Sequence, residues 1–141
     1  MKVYADSSVV ASVYLLDVHM PAAIQLLSAR PDIWLTPFHE AEFAHVLSQG
    51  VFSGRFSQQQ ASRTHLSFEN DRDAGFWHRV PFPVQAFEAC ALLARRYGAR
   101  IGSRTLDALH VACAIELKAE RFWTFDERQK KLAKTAGLKT N

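Results

Sequence analysis

Apolar positions along the chain follow two rhythms. Short runs rich in β-branched and aromatic residues alternate with longer stretches whose apolar residues recur every three to four positions. The runs KVYA (Lys2–Ala5), IWLT (Ile33–Thr36), HRVPF (His78–Phe82) and RFWTF (Arg121–Phe125) predict four strands, and LKT near Lys139 a short fifth. The Pro in the third run suits an edge strand. Helical spacing predicts helices from Ser7 to about Leu16, Met20 to Arg30, Thr36 to about Gln49, Ser57 to about Asn70, Val84 to Tyr97, Arg104 to Leu117 and Asp126 to Ala136. Pro21 and Pro37 suit first turns, and Gly98 and Gly137 suit stops. The Ser57 helix is the most polar and reads as a solvated element. Strands separated by helices predict an α/β domain with a mostly parallel sheet. Such sheets bind ligands just beyond the carboxyl ends of their strands.

Acidic residues stand at those ends. Asp6 follows the first strand in DSS, and Asp126 follows the fourth in TFDERQ. Each is also a favourable helix N-cap, and Asp126 with Gln129 has capping-box spacing. The helix TPFHEAEFAHVL adds Glu40 and Glu42. Glu42 falls between Phe38 and Val46 on its surface and Glu40 beside Phe43, Ala44 and Leu47, so periodicity alone barely separates them. Asp107 sits in RTLDALHVACAIEL, a helix apolar around most of its circumference, where casual solvation is least expected. Acids converging on one cleft would repel, and some of their pKa values would rise. A hard divalent cation, Mg²⁺ or Mn²⁺, resolves that conflict, and can activate water and offset charge on a phosphodiester.

The remaining composition narrows the possibilities. A chain of 141 residues with 48% hydrophobic and 22% charged residues fits one soluble domain. It has no apolar run of the roughly 20 residues a membrane span needs, and its start reads as a strand rather than a signal peptide, which predicts a cytoplasmic protein with no membrane partner. Cys90 and Cys113 lie in apolar helical patterns and are expected as buried free thiols. The formal charge of +3 only mildly favours a polyanionic partner. His39 and His45 are too far apart around their helix for the HExxH zinc pattern. DSS lacks the second Asp of a phosphoaspartyl transferase, and no Gly-rich phosphate loop is present. His110, one turn after Asp107, reads as a packed or hydrogen-bonded helix residue rather than a base.

YADSSVV, TPFHEAEFAHVL, RTLDALHVACAIEL and FWTFDERQKKLAKTAGLK resemble the successive motifs of PIN-domain ribonucleases, most closely the VapC-type toxins of toxin–antitoxin pairs. The resemblance spans nearly the whole chain and is most specific in its last two motifs, while Val51 to His78 matches nothing distinctive. It implies a single PIN domain over residues 1–141, a three-layer α/β/α sandwich with about five strands, and the activity of a metal-dependent endoribonuclease. Asp6, Glu42, Asp107 and Asp126 would be its catalytic and Mg²⁺- or Mn²⁺-binding acids, with EFAHVL selecting Glu42 over Glu40. Ser8 would support the first acid, and Thr124 would be the hydroxyl partner of Asp126. Arg104 and Arg100 are the expected RNA phosphate contacts. The expected partners are an RNA substrate, a second copy of the chain in a homodimer, and a small antitoxin that sets a basic side chain against the acids. Two other readings are an RNA-processing nuclease without an antitoxin and a catalytically silent PIN-fold binding module.

Overall fold

In a computed structural model describing residues 1–141, five parallel strands form one sheet in the order β3-β2-β1-β4-β5. They are β1 (Lys2–Ala5), β2 (Asp32–Leu35), β3 (His78–Arg79), β4 (Arg121–Trp123) and β5 (Lys139–Thr140). Around them lie α1 (Ser7–Tyr14), α2 (Met20–Leu27), α3 (Pro37–Phe52), α4 (Gln58–Asp73), α5 (Ala86–Leu93), α6 (Ala99–Ile101), α7 (Thr105–Glu116) and α8 (Glu127–Thr135). Strand β1 is central because both of its faces are apolar, and Val3, Tyr4 and Ala5 are fully buried. Side chains alternate across a strand, so Val3, Ala5 and Trp123 pack with α1, α3 and α4, while Tyr4 and Phe122 pack with α5, α7 and α8. Two cores on opposite faces of one sheet make the expected three-layer α/β/α sandwich. Cys90 and Cys113 are buried free thiols, and no helix is long and apolar enough to cross a membrane.

Four local expectations change. Helix α4 is polar on average yet not merely solvated: Ala61 and Phe68, seven residues apart and so on one face, are buried, and Phe68 lies 4.4 Å from Phe43 of α3. Helix α5 does not stop at Gly98. A π-helical turn over Ala94–Gly98 leads into α6, and the left-handed residue that ends it is Gly102, at φ +72°. That extra turn buries Ile101 in the same core cluster as Leu93. Strand β3 is cut to two residues: Val80 still donates to the Leu35 carbonyl at 2.7 Å, but Pro81 and Pro83 have no N–H to continue the ladder. Thr36 and Thr124 leave their strands, Thr36 to cap α3 and Thr124 to bond its N–H to Asn141 Oδ1 at 3.1 Å. That departure brings the Thr124 side chain to the acids.

Candidate active site

Asp6 leaves β1 and caps α1. Its Oδ1 accepts the Val9 N–H at 3.0 Å and the Ser8 hydroxyl at 2.7 Å, and its Oδ2 accepts the Thr124 hydroxyl at 2.9 Å. Only 5% of the residue is exposed. Burial raises its pKa above the ordinary aspartate value, against the opposing pull of the His110 charge, the Val9 N–H and the two hydroxyls. Thr124 therefore serves Asp6 rather than the carboxylate of Asp126, from which it only accepts a backbone N–H at 3.0 Å. The Thr124 hydroxyl thus partners Asp126 through its backbone and Asp6 through its carboxylate, because the turn after β4 aims Oγ1 back towards β1.

Asp126 caps α8 by accepting the Gln129 N–H at 2.7 Å. The reciprocal half of a capping box is missing, because Thr124 already holds the Asp126 N–H. The buried Gln129 side chain turns inward instead. Its Nε2 donates to the Asp107 carbonyl at 3.0 Å and its Oε1 lies 2.5 Å from Thr124 Oγ1. One side chain thus joins α8, the turn after β4 and α7. Thr124 has a single hydroxyl proton for two acceptors, Asp6 and Gln129.

Helix α3 separates the two glutamates that periodicity could not. Glu42 pairs with His110 of α7 and accepts the Ser7 hydroxyl at 2.8 Å. Its partial burial favours protonation, but the hydrogen bond and charge of His110, with Ser7, outweigh it and hold the carboxyl below its ordinary pKa. Glu40 lies away from that cleft and pairs with Arg72 at 3.4 Å and Arg79 at 3.3 Å, tying α3 to α4 and β3. His110 is buried beneath Phe38, whose ring stacks on it at 4.3 Å, and its Nδ1 bonds the Tyr4 hydroxyl at 2.8 Å. His39 is also buried. Its Nδ1 accepts the Thr36 N–H at 3.0 Å, so its Nε2–H donates to the Ala5 carbonyl at 2.8 Å, one residue before Asp6. Burial, helped by the His110 charge, pushes the His39 pKa down to about 3.

The four acids therefore divide into two pairs. Asp6 and Glu42 open into a cleft of about 780 Å³. Asp107 and Asp126 line a smaller hollow of about 420 Å³ with Arg104 and Arg128. The Thr124–Gln129 bridge links the two, but no three carboxylates stand together as a ready-made cation cage. Each pair has its own partner within the chain: Glu42 bonds His110, and Asp107 pairs with Arg104 at 2.8 Å. Arg104 remains 80% exposed. Arg100 lies over the Tyr97 ring at 5.7 Å and pairs with none of the acids. Sequence reasoning missed His110 as the partner of Glu42, Gln129 as a bridge and His39 as a clamp. For Gln129 the only local signal was its capping-box spacing. The other two depend on partners far away in the chain.

Residues 3–135 match the PIN domain family, and the chain belongs to it. No curated protein matches the sequence significantly. Among solved structures, the fold is similar to that of VapC20 from Mycobacterium tuberculosis, a sarcin–ricin loop cleaving toxin, with a TM-score of 0.71, 16% identity, and coverage of 96% of this chain and 95% of that one. FitAcB from Neisseria gonorrhoeae gives a TM-score of 0.70 at 14% identity over 98% and 95% of the two chains. VapBC2 from Rickettsia felis, bound to a DNA fragment from its promoter, gives 0.67 at 15% identity over 100% and 98%. At such identities the likeness is one of fold.

Proposed function

We propose that this PIN domain is a metal-dependent endoribonuclease and the toxin of a toxin–antitoxin pair, acting in the cytoplasm as a homodimer. The observation that carries the proposal is Asp6, a nearly buried carboxylate at the carboxyl end of the central strand, joined through Thr124 and Gln129 to Asp126 and Asp107 and sharing a cleft with Glu42. A toxin that cleaves RNA and a toxin–antitoxin complex among the similar structures support the same reading.

The donor set fits a hard divalent cation, because it consists of carboxylate oxygens and because burial disfavours the ionised form of Asp6. Asp6, Glu42, Asp107 and Asp126 would hold Mg²⁺ or Mn²⁺, with Glu42 released from His110 and Asp107 from Arg104. Bound there, the ion would lower the pKa of a water and offset charge on the phosphodiester. The chain's own residues orient the acids: Ser8 and Thr124 fix both oxygens of Asp6, and Gln129 sets α7 against α8. His110 keeps a partner when Glu42 turns away, since Ser7 Oγ lies 3.3 Å from its Nε2. An antitoxin tail would set a basic side chain against Asp6, Asp107 or Asp126, as Arg104 does within the chain. The rest of the tail would lie on apolar surface near α2 or α3.

Incubation with RNA should give cleavage with Mg²⁺ or Mn²⁺ that a chelator abolishes. Glu42→Gln should lose that activity, and Glu40→Gln should keep most of it. Cleavage insensitive to chelator, or the opposite ranking of the two glutamates, would refute the assignment. Expression alone should stop growth, and co-expression with a neighbouring small reading frame should restore it. Harmless expression of an active enzyme would favour a processing nuclease.

Gln129→Met keeps the volume and removes the bridge. Mn²⁺ binding followed by electron paramagnetic resonance should weaken by about 10–100-fold, the usual cost of losing a group that orients metal ligands. Unchanged binding in a folded variant would reduce Gln129 to a packing role.

A further inference from the structure

Breaking a phosphodiester leaves negative charge on a departing ribose oxygen, which a positioned proton donor relieves. Helix α3 brings one such donor to the cleft of Asp6 and Glu42. Phe38, Ala41, Glu42, His45 and Gln49 all line that cleft, at the i, i+3, i+4, i+7 and i+11 spacing of a single helical face. His45 therefore points into the same space as Glu42, one turn further along, with about 5–6 Å between their Cβ atoms. It is exposed, and its ring nitrogens have no hydrogen-bond or ion-pair partner in the chain. The Ser48 hydroxyl, at 3.2 Å, donates to its backbone carbonyl and leaves the ring alone.

The other titratable groups of the cleft are committed. Asp6 accepts from Ser8, Val9 and Thr124, Glu42 bonds Ser7 and His110, and both acids are proposed cation ligands. His110 is buried, with Nδ1 on the Tyr4 hydroxyl and Nε2 shared between Glu42 and Ser7, so neither nitrogen is free. Arg55 also lines the cleft, but a guanidinium does not give up its proton in a protein. That leaves His45, and imidazole is the side chain that most readily gives and takes a proton near neutrality.

We propose that His45 is a catalytic residue, the general acid that protonates the departing ribose oxygen. This assignment rests on the nuclease reading above and adds a proton transfer to it. Water adds to phosphorus, and the proton it loses passes to solvent. The bond from phosphorus to the ribose oxygen breaks, and its electron pair stays on that oxygen. The oxygen takes a proton from a ring nitrogen of His45, and the neutral imidazole regains one from solvent before the next turnover. The exposure of His45 suits this exchange, because solvent is its source of protons.

The test compares an ordinary RNA oligonucleotide with one carrying sulfur in place of the departing bridging oxygen, which is identified beforehand from the product ends. Both are cleaved with Mn²⁺, and a thiolate leaves without needing a proton. His45→Gln should lower kcat on ordinary RNA by about 100-fold or more, the usual worth of a general acid, and leave the sulfur substrate nearly unaffected. His45→Arg, which supplies charge but no transferable proton, should be as impaired as His45→Gln. Mn²⁺ binding by electron paramagnetic resonance should be unchanged in His45→Gln, which also shows that the site is intact. Equal losses on the two substrates, or recovery in His45→Arg, would overturn the proton-donor role. Weaker Mn²⁺ binding would overturn it in favour of a metal ligand. Full activity of His45→Gln, beside an active unmodified chain, would overturn the assignment and leave the nuclease reading standing. No cleavage by the unmodified chain would remove both.

Discussion

Asp6→Asn is expected to abolish RNA cleavage and at the same time raise the melting temperature of the metal-free protein. Loss of activity should exceed the roughly 10–100-fold typical of residues that act through a ligand, because Asp6 is proposed to bind the cation itself. The gain in stability follows from burial. The folded pKa of Asp6 lies above its unfolded value, so its stabilising contribution is present at low pH and is lost as pH rises through the folded pKa. At neutral pH the ionised side chain is a net cost, which an amide avoids. The hydrogen bonds also survive the change. The Asn oxygen keeps Val9 and Ser8, the new N–H₂ donates to Thr124 Oγ1, and the Thr124 proton passes to Gln129 Oε1 at 2.5 Å. Thermal unfolding with chelator, alongside an RNA cleavage assay, checks both halves. A lower melting temperature would mean that the charged form is stabilised by its surroundings after all.

Acidification is expected to destabilise the protein through His39. Its folded pKa is about 3 against an ordinary value of 6.5, so between those limits the unfolded chain binds a proton that the folded one excludes. The contribution of His39 is complete above pH 6.5 and declines by about 1.4 kcal/mol per pH unit on the way down to 3. Glu42, whose folded pKa is lowered, adds to the loss once the pH falls through the carboxylate range, while Asp6 works in the opposite direction. His39→Gln retains a donor for the Ala5 carbonyl and cannot titrate. Urea unfolding at several pH values should give a steeper decline for the unaltered protein than for this variant. Parallel declines would show that His39 does not govern the acid limb.

The strands and most helices were legible because burial on both faces of a parallel sheet leaves a local mark, as in Val3–Ala5 and Phe122–Trp123. The positions of Asp6 and Asp126 were legible for the same reason: each follows such a run. Their capping and site roles could not be told apart, because a carboxylate that caps a helix beyond a strand already points towards the ligand edge, and here each caps. Gly98 misled because a glycine letter carries no φ; it is helical at −59°, and the positive φ lies at Gly102. His110 and Glu42 meet across 68 positions, and no local pattern encodes such a pair.

The outer strands of the sheet bear on how copies of this protein can meet. Strands β3 and β5 contain two residues each, and beyond β3 Pro81 and Pro83 offer no amide hydrogen. Neither rim gives an incoming strand more than a stub to pair with, which guards against runaway sheet-to-sheet polymerisation. Any association between copies would have to use helical and loop surfaces, where Phe52, Val84 and Phe87 stand exposed. Lengthening β3 by replacing both prolines would remove that safeguard at one rim and leave it in place at the other.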